Sequence, residues 1–155
     1  MDIRYFLSYS HADQADVDRF LAVFQPQLAS AAGYHFKLWM DRHILPGENW
    51  KAEIAQALDK ADFGLLLVSP QFLSSRFITE VELAALLSKP MVVPVALHPV
   101  LFDGTMDLKG LAERQIFRDA AGRAFDECRS MHTRRAFVRE LYQQIHKLLG
   151  KYAAC

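Results

Sequence analysis

A chain of 155 residues with a hydrophobic fraction of 52% and 11 Phe is sized for one domain burying roughly two-thirds of its unfolded surface, which excludes extensive disorder. Its 18 basic residues balance 18 acidic ones, so no bulk positive field holds a phosphate backbone and nucleic acid is not an expected direct partner. The start, Met1-Asp2-Ile3-Arg4-Tyr5, lacks the basic region and apolar core of a signal peptide, and no apolar run nears the roughly 18 residues of a membrane span; a cytoplasmic protein without a membrane partner is expected.

Residues 3 to 8 form a short apolar run that enters the polar stretch Tyr9-Ser10-His11-Ala12-Asp13, the pattern of a strand feeding a loop and then a helix start. Val17, Phe20, Leu21, Phe24 and Leu28 recur at helical spacing until Gly33 ends the pattern. Residues 36 to 40 read as a second strand. The loop from Asp41 to Asn49 follows, with Pro46-Gly47 joining a fixed φ to a permissive one and Glu48 at the start of the next helix. Trp50, Ile54, Ala57 and Leu58 mark that helix's apolar stripe, with Trp50 read as core. Residues 63 to 68 are the third strand, the helix around Thr79 to Leu87 is the third crossover, and residues 91 to 97 are the fourth strand.

Nearly continuous apolar strands alternating with helices fit a parallel sheet covered on both faces. From His98 to Arg123 the pattern weakens around Pro99, Gly104, Gly110 and Gly122, and a short edge strand at Gln115-Ile116-Phe117 would bring the sheet to about five strands. Residues 134 to 149 then read as a closing amphipathic helix. With no repeat or linker, a single domain over residues 1–150 and a tail at 151–155 are expected. Cys128 and Cys155 read as ordinary thiols, and neither they nor the six histidines show metal-ligand spacing, so no metal is expected.

In an open parallel sheet, ligands bind outside the carboxyl ends of the strands, which singles out the loops at residues 8–13, 41–50 and 69–82. Neither G-x-G-x-x-G nor G-x-x-x-x-G-K-[ST] occurs, which disfavours a classical dinucleotide fold or P-loop hydrolysis.

Tyr5-Phe6-Leu7-Ser8-Tyr9-Ser10, Trp39-Met40-Asp41-Arg42 through Pro46-Gly47-Glu48-Asn49-Trp50, and Ser69-Pro70-Gln71-Phe72-Leu73 through Glu82-Leu83 occur in the order and spacing of TIR domains. The chain resembles that family from about Ile3 to Leu97, most of all its bacterial branch, and more loosely beyond His98. Phe77-Ile78 stands where members often carry Trp-Cys or Tyr-Cys. The resemblance implies a flavodoxin-like α/β fold of three layers and one of two functions. One is cleavage of NAD+, as substrate rather than resident cofactor, to nicotinamide and ADP-ribose or its cyclic isomer, in anti-phage signalling. The other is a non-enzymatic module acting by homotypic oligomerisation.

By that resemblance Glu82 is the catalytic acid, with Glu80 the competitor if the motif shifts by two residues. A carboxylate suits an oxocarbenium-like ribosyl centre, whereas the plain alternative is that both acids merely favour the positive end of a helix. Ser8, Tyr9, Ser10, His11, Asp41, Arg42, Phe77 and Ile78 are the expected substrate-binding residues. Asp41 as a turn cap, Arg42 in solvent and His11 as an exposed loop histidine stay open, and Tyr9 reaches the pocket only if the strand has ended before it. Ile44, Leu45, Pro46 and Gly47 form the expected assembly loop, serving self-association into a filament or contact with a sensor or effector protein. A third reading is another flavodoxin-like nucleotide enzyme; its phospho-receiver version lacks paired acids, since Ser8-Tyr9-Ser10 ends the first strand.

Overall fold

Alternation along the first strand decides which side of the molecule each later element must cover. In the computed structural model, which describes residues 1–111 and 114–152, β1 (Asp2–Ser8) sends Ile3, Tyr5 and Leu7 into one apolar cluster and Phe6 into the other. It is flanked by β2 (His35–Trp39) and β3 (Phe63–Val68), with β4 (Val92–Ala96) beyond, giving a parallel sheet in the order β2-β1-β3-β4. Phe6 faces Trp39 on one neighbour and Gly64 on the other, and the Phe6 and Trp39 rings stack at 4.9 Å. Every residue of β3 is buried, as a strand covered on both faces requires.

Helices α1 (Gln14–Ala29) and α5 (Met131–Tyr152) cover the first face, with Val17, Phe20 and Phe24 packing against Phe137, Leu141 and Ile145. The second face is covered by α2 (Trp50–Lys60), α3 (Pro70–Ser74) and α4 (Leu83–Leu87), whose Ile54, Leu58, Phe72 and Leu86 meet Phe6, Leu66 and Val68. This is the expected α/β architecture of three layers.

Four expectations change in detail. Among the described residues the sheet has four strands rather than about five: residue 117 makes an isolated parallel bridge to Val95, through Phe117 N–H to Pro94 O at 2.8 Å and Ala96 N–H to Phe117 O at 2.9 Å. Pro94 has no N–H to offer at the next position on that edge, so the ladder stops. Trp50 is 49% exposed rather than core, because it opens α2 at the carboxyl edge, where no sheet lies beneath it. The α2 cap is Asn49, which accepts Ala52 N–H at 3.2 Å, while Glu48 instead accepts Leu45 N–H at 2.7 Å. The third crossover contains a π-helical turn, Ile78–Glu82, ahead of α4. Helix α5 runs to Tyr152, and residues 153–155 of the expected tail, including Cys155, lie outside the described residues.

Phe137 is fully buried and meets Phe117 and Phe125 edge to face, joining α5 to the segment after β4. Phe137→Ala is expected to lower unfolding free energy by about 3–5 kcal/mol in urea denaturation; a loss below about 1 kcal/mol would show α5 to be an appendage rather than part of the core.

Candidate active site

The chain order reverses at β1: β2 lies on one side of it and β3 on the other, so the loops leaving their carboxyl ends diverge. A cavity of about 630 Å³ opens there, between the loop after β1, the loop after β2, the start of α2 and the π-helical turn.

The first wall is built where β1 ends at Ser8. Ser10 caps a 3-10 turn (His11–Asp13) by accepting Ala12 N–H at 3.3 Å. Tyr9 continues the alternation of β1, buried in the same apolar cluster as Ile3, Tyr5 and Leu7, and at the strand's end it also lines the cavity beside Ser10 and His11. Its hydroxyl donates to Asp41 Oδ1 at 2.8 Å, and His11 Nε2 contacts the other oxygen of the same carboxylate. Burial and the Asp41 carboxylate hold the Tyr9 phenol well above its ordinary pKa, so it serves as a fixed donor. Asp41 thereby joins the β1 and β2 loops. Arg42 stands at the back of this wall: it pairs with Asp18 of α1 at 2.8 Å, interacts with the Tyr9 hydroxyl, and lines a separate cavity with Met40 and His43.

The opposite wall begins at Ser69, whose Oγ accepts Phe72 N–H at 3.0 Å and starts α3. Ser75 then accepts Ile78 N–H at 3.3 Å through its side chain, while its carbonyl takes both Thr79 N–H at 3.1 Å and Thr79 Oγ1–H at 2.9 Å. That doubled demand on one carbonyl competes with regular helix bonding. The turn that follows is wide, with Leu83 N–H reaching back to Ile78 O. Ile78 and Glu82 line the cavity and are buried, whereas Glu80 is exposed and pairs with Arg76 at 3.3 Å.

Glu82 is 8% exposed, and that desolvation raises its pKa from 4.5 to about 7. Asp41 pushes the same way, while the Ser8 hydroxyl and His11 favour the charged form. Ser8 is fully buried at the end of β1, on the Phe6 face. Its hydroxyl lies close enough to favour the carboxylate, yet its Oγ has no hydrogen bond of regular geometry among the described residues.

Above these groups stand two aromatic rings, Trp50 and Phe77, edge to face at 5.8 Å and partly exposed. They also border an apolar trough of about 670 Å³ that continues along Ile54, Leu58, Val81 and Ala85. In the loop after β2, Ile44 turns into the cavity and Leu45 outward at 66% exposure, while Gly47 adopts φ 91°, which a side chain would strain. Trp50, Ile54 and Ser75 line the cavity without having been singled out as binding residues. The available signal was position: each lies in or just past a loop at the carboxyl edge. Among the described residues no group of three His, Cys, Asp or Glu side chains is arranged to hold a metal ion, and no helix is long and apolar enough to cross a membrane.

Chemically the site combines one buried carboxyl that titrates near neutrality, hydroxyl and imidazole donors on one wall, and ring faces at the mouth. That set suits a ligand with a developing positive charge, hydroxyls and a planar base.

Comparison with curated proteins finds no match. Among solved structures, the chain is similar to the TIR domain of the Toll-related receptor TRR-2 from Hydra magnipapillata, at 18% identity and a TM-score of 0.61, covering 92% of this chain and 97% of that one. At that identity the likeness is one of fold. The family model for the TIR domain matches residues 6–132, which takes in both walls of the cavity and most of the sequence, and the chain belongs to the TIR domain family.

Proposed function

We propose that the protein cleaves NAD+ at the bond between nicotinamide and ribose, as bacterial TIR domains with this activity do, with Glu82 as the catalytic carboxylate. The observation that carries this reading is a single one: Glu82 is the acid that the π-helical turn delivers, buried, into the cleft at the reversal of strand order. In the reaction the bond between ribose C1′ and the pyridinium nitrogen breaks and its electron pair neutralises the ring. The ribosyl carbon becomes oxocarbenium-like, and water adds there with loss of a proton to give ADP-ribose. Attack by an adenine nitrogen in place of water gives a cyclic isomer.

Each side chain has a role in that scheme. The Glu82 carboxylate stabilises the ribosyl cation and orients its hydroxyls. Ser10 and His11 offer donors to phosphate or ribose, and Asp41 and Tyr9 hold the first wall in place. Phe77 and Trp50 supply ring faces for a base.

Assembly is proposed to accompany catalysis. Exposed Leu45, carried on a loop braced by its own bonds to Glu48, together with exposed Val81, Trp50 and Phe77, supports a self-association surface that switches the enzyme on in anti-phage signalling, with a sensor or effector protein as partner. The same observations support the second reading, a scaffold without catalysis.

Glu82→Gln separates the two. It is expected to lower nicotinamide release at least about a thousandfold while sedimenting as the parent does. An assembled parent that leaves NAD+ intact would instead favour the scaffold.

The pH profile gives a further check. Because the carboxylate is the working form and burial raises its pKa, kcat/KM should rise as pH increases through about 7 and level off above it. In the complex the cationic nicotinamide ring favours ionisation, so the rise in kcat should fall at lower pH. A kcat/KM profile flat from pH 5 to 8 would contradict the role given to Glu82.

A further inference from the structure

Asp13 is the first residue before α1, a place where aspartate commonly caps the helix, yet its side chain makes no capping bond there. It is buried, at 2% side-chain exposure, and reaches over to the end of the neighbouring strand β3 instead, outside the lining of the cleft. Ser69, fully buried at the end of β3, donates its hydroxyl to Asp13 Oδ2, while the same Ser69 oxygen accepts Phe72 N–H at the start of α3. On the other side Asp13 N–H donates to Ser10 O at 2.9 Å. One contact, between residues 56 apart in sequence, therefore ties the turn that bears Ser10 and His11 to the segment that leads to Ser75 and Glu82.

His98, just beyond β4, stands behind this contact. Its backbone N–H donates to Val68 O at 3.3 Å, and its ring Nδ1 lies 3.7 Å from Asp13 Oδ1. The other ring nitrogen is 2.7 Å from Asp16 Oδ2 and 4.0 Å from Asp126 Oδ2, and Asp16 also binds Arg19. Groups from the ends of β3 and β4 thus converge on a carboxylate carried just past β1. A buried carboxylate is tolerated where such partners satisfy it.

We propose that Asp13 is a positioning residue: through Ser69, and with His98 at its back, it sets the separation of the two cleft walls and so the place of Glu82 against the reacting ribose carbon. The inference rests on the NAD+-cleaving reading given above. Asp13 itself touches no substrate. Its influence is exerted through the geometry of both walls, where a misplacement of about 1 Å costs roughly a hundredfold in rate.

The test compares Asp13→Ala, which removes the tie, with Asp13→Asn, whose amide oxygen still accepts from Ser69. Hydrogen exchange over residues 9–14 and 70–82 is measured beside kcat and KM for NAD+. The Ala variant is expected to exchange at least roughly tenfold faster in both segments and to lose roughly tenfold to a hundredfold in kcat, with KM changed less. The Asn variant should lie close to the parent in both. Faster exchange confined to residues 9–14, or an Asn variant as impaired as the Ala one, would overturn the proposal. Should the Ala variant fail to fold, His98→Gln serves: faster exchange in both segments supports the tie, and unchanged exchange overturns it. A parent without NAD+ turnover removes the reaction and the positioning role together, whereas an active parent with an indifferent Asp13→Ala removes the positioning role alone.

Discussion

The burial of one carboxyl governs the carboxyl edge of this sheet. Glu82 sits inside the cleft where the wide turn at Ile78–Glu82 aims it inward, with the Ser8 hydroxyl at the end of β1 and His11 favouring its charge and Asp41 opposing it. Holding it there favours the protonated form. With the folded pKa raised from 4.5 to about 7, the resulting stability is complete below the ordinary carboxylate range and is lost as pH rises through about 7, amounting to on the order of 3 kcal/mol. The fold thus keeps at its cleft an acid whose ionisation opposes its own stability, a pattern found where a group serves chemistry rather than packing.

The remaining site features follow from strand order. Reversal at β1 splays the loops apart, and α2 begins at that edge, which leaves Trp50 without a sheet beneath it and free to meet Phe77 over the cleft. The same opening leaves an apolar trough continuous with the polar cavity through Trp50, Ile54 and Phe77. The cleft proposed for catalysis and the surface proposed for assembly therefore share a border, and a neighbour seated on the trough would also confine the cleft. Membership in the TIR family fixes the fold and leaves this choice to the site itself.

How much of this could be read beforehand varied with the signal. The all-apolar run Phe63–Val68 has a single interpretation once helices flank it, and its bounds match the strand as observed. Glu82 could be picked out by motif spacing, and its separation from Glu80 needed the folded chain: the spacing of four from Arg76 allows Glu80 a surface pair, but only the wide turn shows Glu82 buried in the cleft. Helical periodicity misled at Trp50, because a stripe reports which side of a helix is apolar and not whether anything lies beneath its first turn. Arg42 follows Asp41 in sequence, yet its guanidinium pairs with Asp18 on α1 as well as interacting with Tyr9, contacts across elements with no local signature. The shortened fifth strand was legible in principle, from the donor that Pro94 lacks. Asp13 reads locally as a cap, and only the folded chain shows it serving Ser69 instead.

The most direct test is a titration of the Glu82 side-chain carboxyl by carbon NMR, with the resonance identified by its loss in Glu82→Gln, in the free protein and with a non-cleavable NAD+ analogue. A midpoint near 7 in the free protein that moves down when the cationic analogue binds is expected if Glu82 is the buried acid facing the ribosyl centre. A midpoint in the ordinary carboxylate range, or one indifferent to the analogue, would contradict it.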